Sequence, residues 1–176
     1  MKYGALILAL ASAPAYGAVL DSSASGFTVK ITLQVQAPPA DVYRKFIHNV
    51  GEWWDSSHTF SGSAKNLSIE EKVMGCFCEK LPDGGAVRHL EMLYFSPGKA
   101  IVFTGAMGPM QSMAATGTLQ MRFAAEQGGT KLEVTYAVSG YLPAGMDKLA
   151  APSDGMLTGQ LARLKTFAET GSPAAK

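Results

Sequence analysis

The chain has 176 residues, of which 47% are hydrophobic and 16% are charged. Its 15 Lys and Arg residues against 14 Asp and Glu residues leave a formal net charge of +1. This balance excludes a strong electrostatic basis for binding nucleic acid or an anionic membrane surface. The length fits one domain, and two cysteines are too few for a disulfide scaffold or a four-thiolate zinc site.

Residues 1–17 have the organisation of a secretory signal peptide. A basic start and a short apolar run precede Ala15 and Gly17, which supply small residues at positions −3 and −1 for cleavage after Gly17. The run falls short of the ~20 apolar residues that a membrane span needs. We therefore expect secretion across the inner membrane to the periplasm, and a flexible segment at 18–25 ahead of the domain.

A strand and a helix open the predicted domain. Residues 27–36 alternate between apolar and polar side chains, which is the period of a half-buried strand. Pro38 and Pro39 end this strand, and proline is favoured in the first turn of a helix. Apolar residues then recur at helical spacing to Val50, and Gly51 ends the helix.

The middle of the chain predicts a meander of antiparallel strands. Each candidate strand is separated from the next by a short segment rich in glycine or proline, and such short connections force neighbouring strands to run antiparallel. With the first strand, the total is about seven. The candidate strands span 67–73, 75–81, 86–95, 100–105, 112–125 and 130–139.

A long helix is predicted at 152–170, ending at Gly171 and followed by a frayed tail at 172–176. Its apolar stripe comprises Leu157, Leu161, Leu164 and Ala168. Gly155 and Gly159 lie four residues apart, so one part of the helix lacks bulky side chains. Two interpretations are open: close packing of the helix on the sheet, or room for a ligand beneath the helix.

This order of elements resembles the helix-grip fold of the START-like superfamily, also called SRPBCC. That superfamily includes polyketide cyclases, the birch-pollen allergen and homologues of the Hsp90 ATPase activator. The resemblance rests on the element order and on segments 34–43, 75–79, 105–109 and 161–165. It implies an α+β domain over 26–171, in which a curved antiparallel sheet wraps around the long C-terminal helix. It also implies an interior cavity for a hydrophobic or amphipathic molecule, but it names no reaction.

Cys76 and Cys78 lie two residues apart on a predicted strand, so their side chains share a face. A bond between them would be strained, because such positions lie near or beyond the ~6.8 Å limit for the Cα separation of a disulfide. If the following turn has two residues, the cysteines face His89 and Glu91, which would form a credible soft-metal set. If it has three, Glu79 faces His89 instead. The alternative to a metal or redox role is that the two cysteines are simply small buried residues of the core.

Glu79 and His89 are the candidate catalytic pair. A carboxylate beside an imidazole inside a cavity could act in general acid–base catalysis, because the carboxylate orients the ring and raises its basicity. The alternative is an ion pair on the solvated face of the hairpin, where it would contribute little.

The candidate ligand-binding residues are aromatic, polar or small residues placed near the predicted cavity: Trp54, His58, Phe77, Tyr136, Gly155 and Gly159. Trp54 and His58 could hold an aromatic or anionic ligand, or the tryptophan could simply anchor its loop. Tyr136 should face inward, so its hydroxyl needs either the ligand or another buried polar group. Seven of the eight methionines of the mature chain suit either a cavity that accepts varied apolar shapes or ordinary core filling.

Three functions follow from these observations. The first is an exported protein that binds a small hydrophobic or amphipathic molecule. The second is a cyclase- or hydrolase-like cavity enzyme that uses Glu79 and His89, and the third is a protein-interaction module without an enclosed void. No phosphate-binding loop, nucleophile elbow or zinc motif occurs in the sequence, so we expect no cofactor.

Overall fold

The computed structural model describes residues 16–173 as one open antiparallel sheet and a long C-terminal helix. The strands are β1 (Tyr16–Ser23), β2 (Gly26–Val35), β3 (Leu67–Ile69), β4 (Cys76–Lys80), β5 (Ala86–Ser96), β6 (Ala100–Thr104), β7 (Ala114–Glu126) and β8 (Gly129–Tyr141). Their spatial order is β1-β2-β8-β7-β6-β5-β4-β3. The α+β, helix-grip-like fold is therefore confirmed.

The alternating pattern of the strands places the core on one face of the sheet. Along β2, every second residue from Phe27 to Val35 is buried. The neighbouring strands β2 and β8 pair Val29 with Tyr136 and Ile31 with Val134, so their inward side chains form one continuous apolar surface. Because side chains on a strand alternate between faces, the sequence period alone settles which residues enter this core.

Three helices complete the fold: α1 (Pro39–His48), α2 (Val50–Trp53) and α3 (Ala150–Thr170). The predicted stripe of α3 is buried, together with Phe167, and the helix ends at Gly171 in the left-handed conformation that glycine favours. The Lys45 ammonium of α1 donates hydrogen bonds to the carbonyls of Phe167 (3.4 Å) and Ala168 (2.9 Å). These bonds satisfy carbonyls in the last turn of α3 and fix α1 against it.

The N-terminal part of the described chain contains a strand that the sequence pattern did not indicate. We expected a flexible segment at 18–25, whereas Tyr16–Ser23 forms β1 and pairs antiparallel with β2. Residues 1–15, which include most of the predicted signal peptide, lie outside the described residues, as do residues 174–176 of the predicted tail. Within 16–173, no helix combines the length and the apolar character that crossing a membrane requires.

Candidate functional site

A cavity of about 460 Å³ lies between the sheet and the beginning of α3. Its wall is mostly apolar and comes from β4, β5, the start of α3 and two segments that we call the rim loop (residues 54–61) and the methionine loop (residues 105–113). The lining residues are Trp54, Ser57, His58, Thr59, Phe60, Leu67, Phe77, His89, Met107, Gly108, Pro109, Met110, Met113, Leu149, Pro152, Ser153 and Met156. This size and this lining are typical of pockets that bind small molecules.

Aromatic rings form one side of the cavity. Trp54 meets Phe77 edge to face, with 5.6 Å between the ring centroids. The His89 ring lies 5.4 Å from the Phe77 ring and 6.0 Å from the Phe60 ring, and it stacks on Phe60 at an interplanar angle of 29°. Phe60 is 55% exposed, so the aromatic wall extends from the core to the surface.

A β-bulge between β4 and β5 brings His89 to the cavity. Cys78 pairs with Arg88, but Phe77 pairs with Leu90, so β5 contains one extra residue at this point. The extra residue is His89, and its side chain is buried beside Glu79 although Glu79 itself pairs with Val87. Bulges of this kind redirect a side chain next to functional sites.

The Glu79 carboxylate is completely buried and accepts three hydrogen bonds. Its Oε2 atom accepts from the Phe60 amide (3.1 Å) and lies 3.0 Å from His89 Nε2, and its Oε1 atom accepts from the Ser61 amide. Burial acts to raise the pKa of Glu79, but the hydrogen bonds from Ser61, Phe60 and His89 outweigh this effect and hold the pKa below its ordinary value. Glu79 is therefore an anion at neutral pH, and it fastens the rim loop to β4.

His89 is neutral and has a defined tautomer. Burial lowers its pKa below the ordinary value, and the hydrogen bond and charge of Glu79 offset only part of this effect. Because an ionised carboxylate can only accept, Nε2 carries the proton and donates it to Glu79. Nδ1 is then an acceptor, and the Gln111 amide nitrogen lies 3.2 Å from it.

Tyr136, on β8, fixes the backbone of the methionine loop. Its hydroxyl accepts a hydrogen bond from the Met107 amide (2.9 Å) and donates one to the Gly105 carbonyl (3.2 Å). Burial raises the pKa of Tyr136 to about 12, so the hydroxyl keeps its proton. The ring itself is completely buried and does not line the cavity.

Helix α3 fastens the other end of the rim loop. The side-chain oxygen of Gln160, which is 2% exposed, accepts a hydrogen bond from the Asp55 amide at 2.8 Å. Arg163 Nε donates to the Trp53 carbonyl at the same distance. Both edges of the rim loop are therefore fixed by buried side chains, and the residues between these anchors present His58 and Phe60 at the cavity mouth.

Neither protein-family models nor curated protein sequences match this chain. Solved structures do share its fold. An uncharacterised protein from Rhizobium leguminosarum is 20% identical with a TM-score of 0.60, over 88% of this chain and 95% of that protein. CalU16 from Micromonospora echinospora is 12% identical with a TM-score of 0.56, over 90% and 88% of the two chains. DynU16, from the dynemicin biosynthetic locus, is 16% identical with a TM-score of 0.56, over 83% of this chain and 48% of DynU16. At these identities the likeness shows the fold alone.

The structure separates the predicted site residues into three groups. Trp54, His58, Phe77 and His89 lie in the cavity wall. Glu79 and Tyr136 lie behind the wall and bind loop backbone. Gly155 and Gly159 were placed wrongly: both lie on the exposed face of α3, and a Cβ atom added at either would meet no atom within 4 Å.

The cysteines correct a second prediction. Cys76 and Cys78 are joined by a disulfide with a Cα separation of 5.2 Å, which is within the ordinary range, so the expected obstacle to this bond is absent. Cys76 does pair with Glu91, but His89 is directed to Glu79 and the bonded sulfurs offer no thiolate. The proposed ligand set of Cys76, Cys78, His89 and Glu91 is therefore not assembled. The described residues contain no group of three or more His, Cys, Asp or Glu side chains placed to hold a metal ion.

Several residues of the site were missed by sequence reasoning. Gln111 contacts His89, and Gln160 contacts the rim loop. In the sequence, neither glutamine can be told apart from an ordinary surface residue. Ser153 also lines the cavity and is 8% exposed, and the sequence pattern did not single it out. The methionines gave a usable signal, since Met107, Met110, Met113 and Met156 all line the cavity.

Proposed function

We propose that this protein is an exported, single-domain member of the START-like superfamily that binds a small hydrophobic or amphipathic molecule in the cavity above. The observation that carries the proposal is the cavity itself. A mostly apolar space of about 460 Å³ with a few polar side chains in its wall, among them His58 and His89, has the composition of a small-molecule pocket. Methionine side chains in the wall suit such a role, because they adapt to ligands of different shape.

The anchoring of the loops supports the same proposal. Buried polar groups cost free energy unless they are paired, and here they are used to fix the two loops that border the cavity. Glu79 and Gln160 fix the rim loop, and Tyr136 fixes the methionine loop. A wall whose backbone is held in this way is pre-organised, which lowers the entropic cost of binding a ligand.

A ligand-discovery experiment tests binding directly. The protein is purified without its predicted signal peptide, and molecules that copurify are identified by mass spectrometry after extraction. A library of apolar and amphipathic compounds is then screened by thermal shift. We expect at least one class to raise the melting temperature, and the absence of both copurifying molecules and thermal shifts would contradict the proposal.

Two variants locate the binding site. Met156→Trp places a bulky ring at the cavity wall, so it should abolish the thermal shifts while leaving the unliganded protein folded. Gly159→Ala is the matched control on the same helix, because its new methyl group meets only open space. It should raise stability by about 1 kcal/mol through helix propensity and leave binding unchanged. Equal binding by wild type and Met156→Trp would place the ligand elsewhere.

Export is a separate part of the proposal. It is supported by the basic, apolar and small-residue pattern of residues 1–17. Expression of the full chain with a C-terminal tag, followed by fractionation and N-terminal sequencing, tests it. A periplasmic product that begins at Ala18 is expected, and a cytoplasmic product that retains residues 1–17 would refute it.

A cavity enzyme is the second candidate, and the buried contact between His89 and Glu79 favours it. A neutral imidazole in the cavity wall, oriented by a carboxylate, is the arrangement required of a general base. Glu79 would then act as a positioning residue, since its oxygens are already occupied by the rim loop and His89. Hydrolysis of 2-naphthyl acetate above the buffer rate, lost in His89→Phe, would support this candidate.

A further inference from the structure

Among the described residues that line the cavity, only the histidines have side chains that could carry a formal charge. Among the lining residues in the part of the chain that the structure describes, there is no Lys, Arg, Asp or Glu. A charged group that leaves water without a partner loses its solvation and gains little in return. The lining therefore disfavours ligands that carry a carboxylate or an ammonium group into the cavity.

The buried histidine in the wall offers a hydrogen-bond acceptor. Glu79 Oε2 lies 3.0 Å from His89 Nε2 and also accepts from the Phe60 amide, so the proton of the neutral imidazole is held on Nε2. The other nitrogen, Nδ1, then presents a lone pair. A ring that could change its tautomer freely would accept either donors or acceptors, but the fixed carboxylate removes this choice.

Gln111 occupies this acceptor within the protein. Its amide nitrogen lies 3.2 Å from His89 Nδ1. Gln111 belongs to a 3-10 turn at Gly108–Ser112 and is partly exposed, so its amide can turn to water when another donor takes its place. His89 itself and the residues Pro109 and Met110 beside Gln111 line the cavity, so a ligand in the cavity would lie next to this acceptor.

We propose that the cavity selects uncharged apolar molecules that carry a hydrogen-bond donor, and that His89 Nδ1 accepts this bond in place of Gln111. Hydroxyl and N–H groups satisfy the requirement, whereas ethers and carboxylates do not. The proposal rests on the proposed binding function and names the chemical class of its ligand. Glu79 is the positioning residue, because it fixes the tautomer without reaching the cavity.

Three probes of nearly the same shape test this selectivity in isothermal titration at neutral pH. They are 2-naphthol, which donates, 2-methoxynaphthalene, which only accepts, and 2-naphthoate, which is an anion. A net hydrogen bond is worth roughly a threefold to tenfold gain in affinity, so 2-naphthol should bind more tightly than 2-methoxynaphthalene by about that factor. We expect 2-naphthoate to bind most weakly of the three.

The outcomes separate this inference from the binding function. Equal affinities for 2-naphthol and 2-methoxynaphthalene, or a preference for 2-naphthoate, overturn the selectivity and leave the binding function standing. No binding of any probe, together with no hit in the thermal-shift screen, overturns both. No binding of the probes when other compounds do bind overturns the selectivity alone.

Two variants assign the preference to His89. His89→Phe keeps an aromatic ring but removes the acceptor, so 2-naphthol should lose its advantage over 2-methoxynaphthalene. Gln111→Ala removes the competing donor, so the affinity for 2-naphthol should rise about threefold while that for 2-methoxynaphthalene stays constant. Gln120→Ala, an exposed glutamine on β7, is the control and should change neither affinity. If Gln111→Ala left the ratio unchanged, the assignment would be wrong even if His89→Phe failed to fold.

Discussion

Replacing Glu79 with glutamine should destabilise the protein far more than removing a surface carboxylate. The amide has the size of the carboxylate, but only one of its two terminal atoms can accept hydrogen bonds. If the amide oxygen stays beside the Ser61 amide, an NH₂ group faces both the Phe60 amide and His89 Nε2. The Phe60 amide then loses its buried acceptor, and His89 can accept from the new NH₂ group only by moving its proton to Nδ1, where it faces the Gln111 amide nitrogen.

The magnitude follows from these lost bonds. Hydrogen bonds to charged groups contribute about 1.5–3 kcal/mol each, and a buried donor left without an acceptor costs about 1–3 kcal/mol. We therefore expect Glu79→Gln to lower the free energy of unfolding by about 3 kcal/mol at pH 7. With an m-value of about 2 kcal/mol/M in urea, the unfolding midpoint should fall by about 1.5 M.

Glu133→Gln provides the matched control. Glu133 lies on β8 and forms a surface ion pair with Lys30 at 3.1 Å, with both side chains partly exposed. Pairs of this kind contribute at most about 1 kcal/mol, so the midpoint should change little. If Glu79→Gln proved as stable as Glu133→Gln, the assignment of Glu79 as the anchor of the rim loop would be wrong.

The pH dependence gives a second readout of the same carboxylate. The pKa of Glu79 in the folded protein lies below its ordinary value of 4.5, so the folded state favours the anion. The stability that this shift contributes is present above pH 4.5 and is lost as the pH falls through the folded-state pKa. Urea titrations from pH 7 to pH 3 should therefore show the wild type approaching Glu79→Gln at the acidic end, and a constant difference would contradict this account.

Three further changes test other parts of the structure by urea unfolding. Tyr136→Phe leaves the Met107 amide and the Gly105 carbonyl without their partner, so it should lower the free energy of unfolding by about 1–3 kcal/mol. It should also speed hydrogen exchange at the Met107 amide, and unchanged exchange would refute the anchoring role. Thr158→Val removes a buried hydroxyl that has no hydrogen-bond partner among residues 16–173 and should stabilise the protein by about 1 kcal/mol, whereas a loss of stability would show that the hydroxyl is paired. Reduction of the Cys76–Cys78 disulfide, which closes a very short loop, should lower the free energy of unfolding by less than about 2 kcal/mol. The Cys76→Ser/Cys78→Ser double variant is the control, because the reductant should not change its stability. Complete unfolding of the wild type on reduction would contradict this estimate.

The candidate site shows where sequence reasoning succeeded and where it stopped. Strand periodicity identified the inward face of β8, so Tyr136 was correctly expected to point inward, whereas the sequence left open whether Glu79 and His89 do. Their partners were not predictable, because a hydrogen-bond partner depends on which loop lies above the strand. Glu79 and Tyr136 thus bind loop backbone, although the sequence presented them as candidates for chemistry.

The two helix glycines were misjudged for a different reason. Successive residues of an α-helix are separated by about 100°, so Gly159 lies about 200° around the helix from Leu157 and faces away from the core. The information was already in the spacing of the apolar stripe. Room for a ligand comes instead from the loops at one end of α3.

Local patterns in the sequence determined the order of strands and helices from β2 to α3, the faces that enter the core and the C-terminal end of α3. They sufficed because each depends on residues within one or two turns or strand repeats. Only the tertiary structure decided the bulge that turns His89 towards Glu79, the disulfide beside it and the pairing of β1 with β2. The register of two strands depends on contacts between residues that are distant along the chain, and one extra residue in a strand changes every partner beyond it.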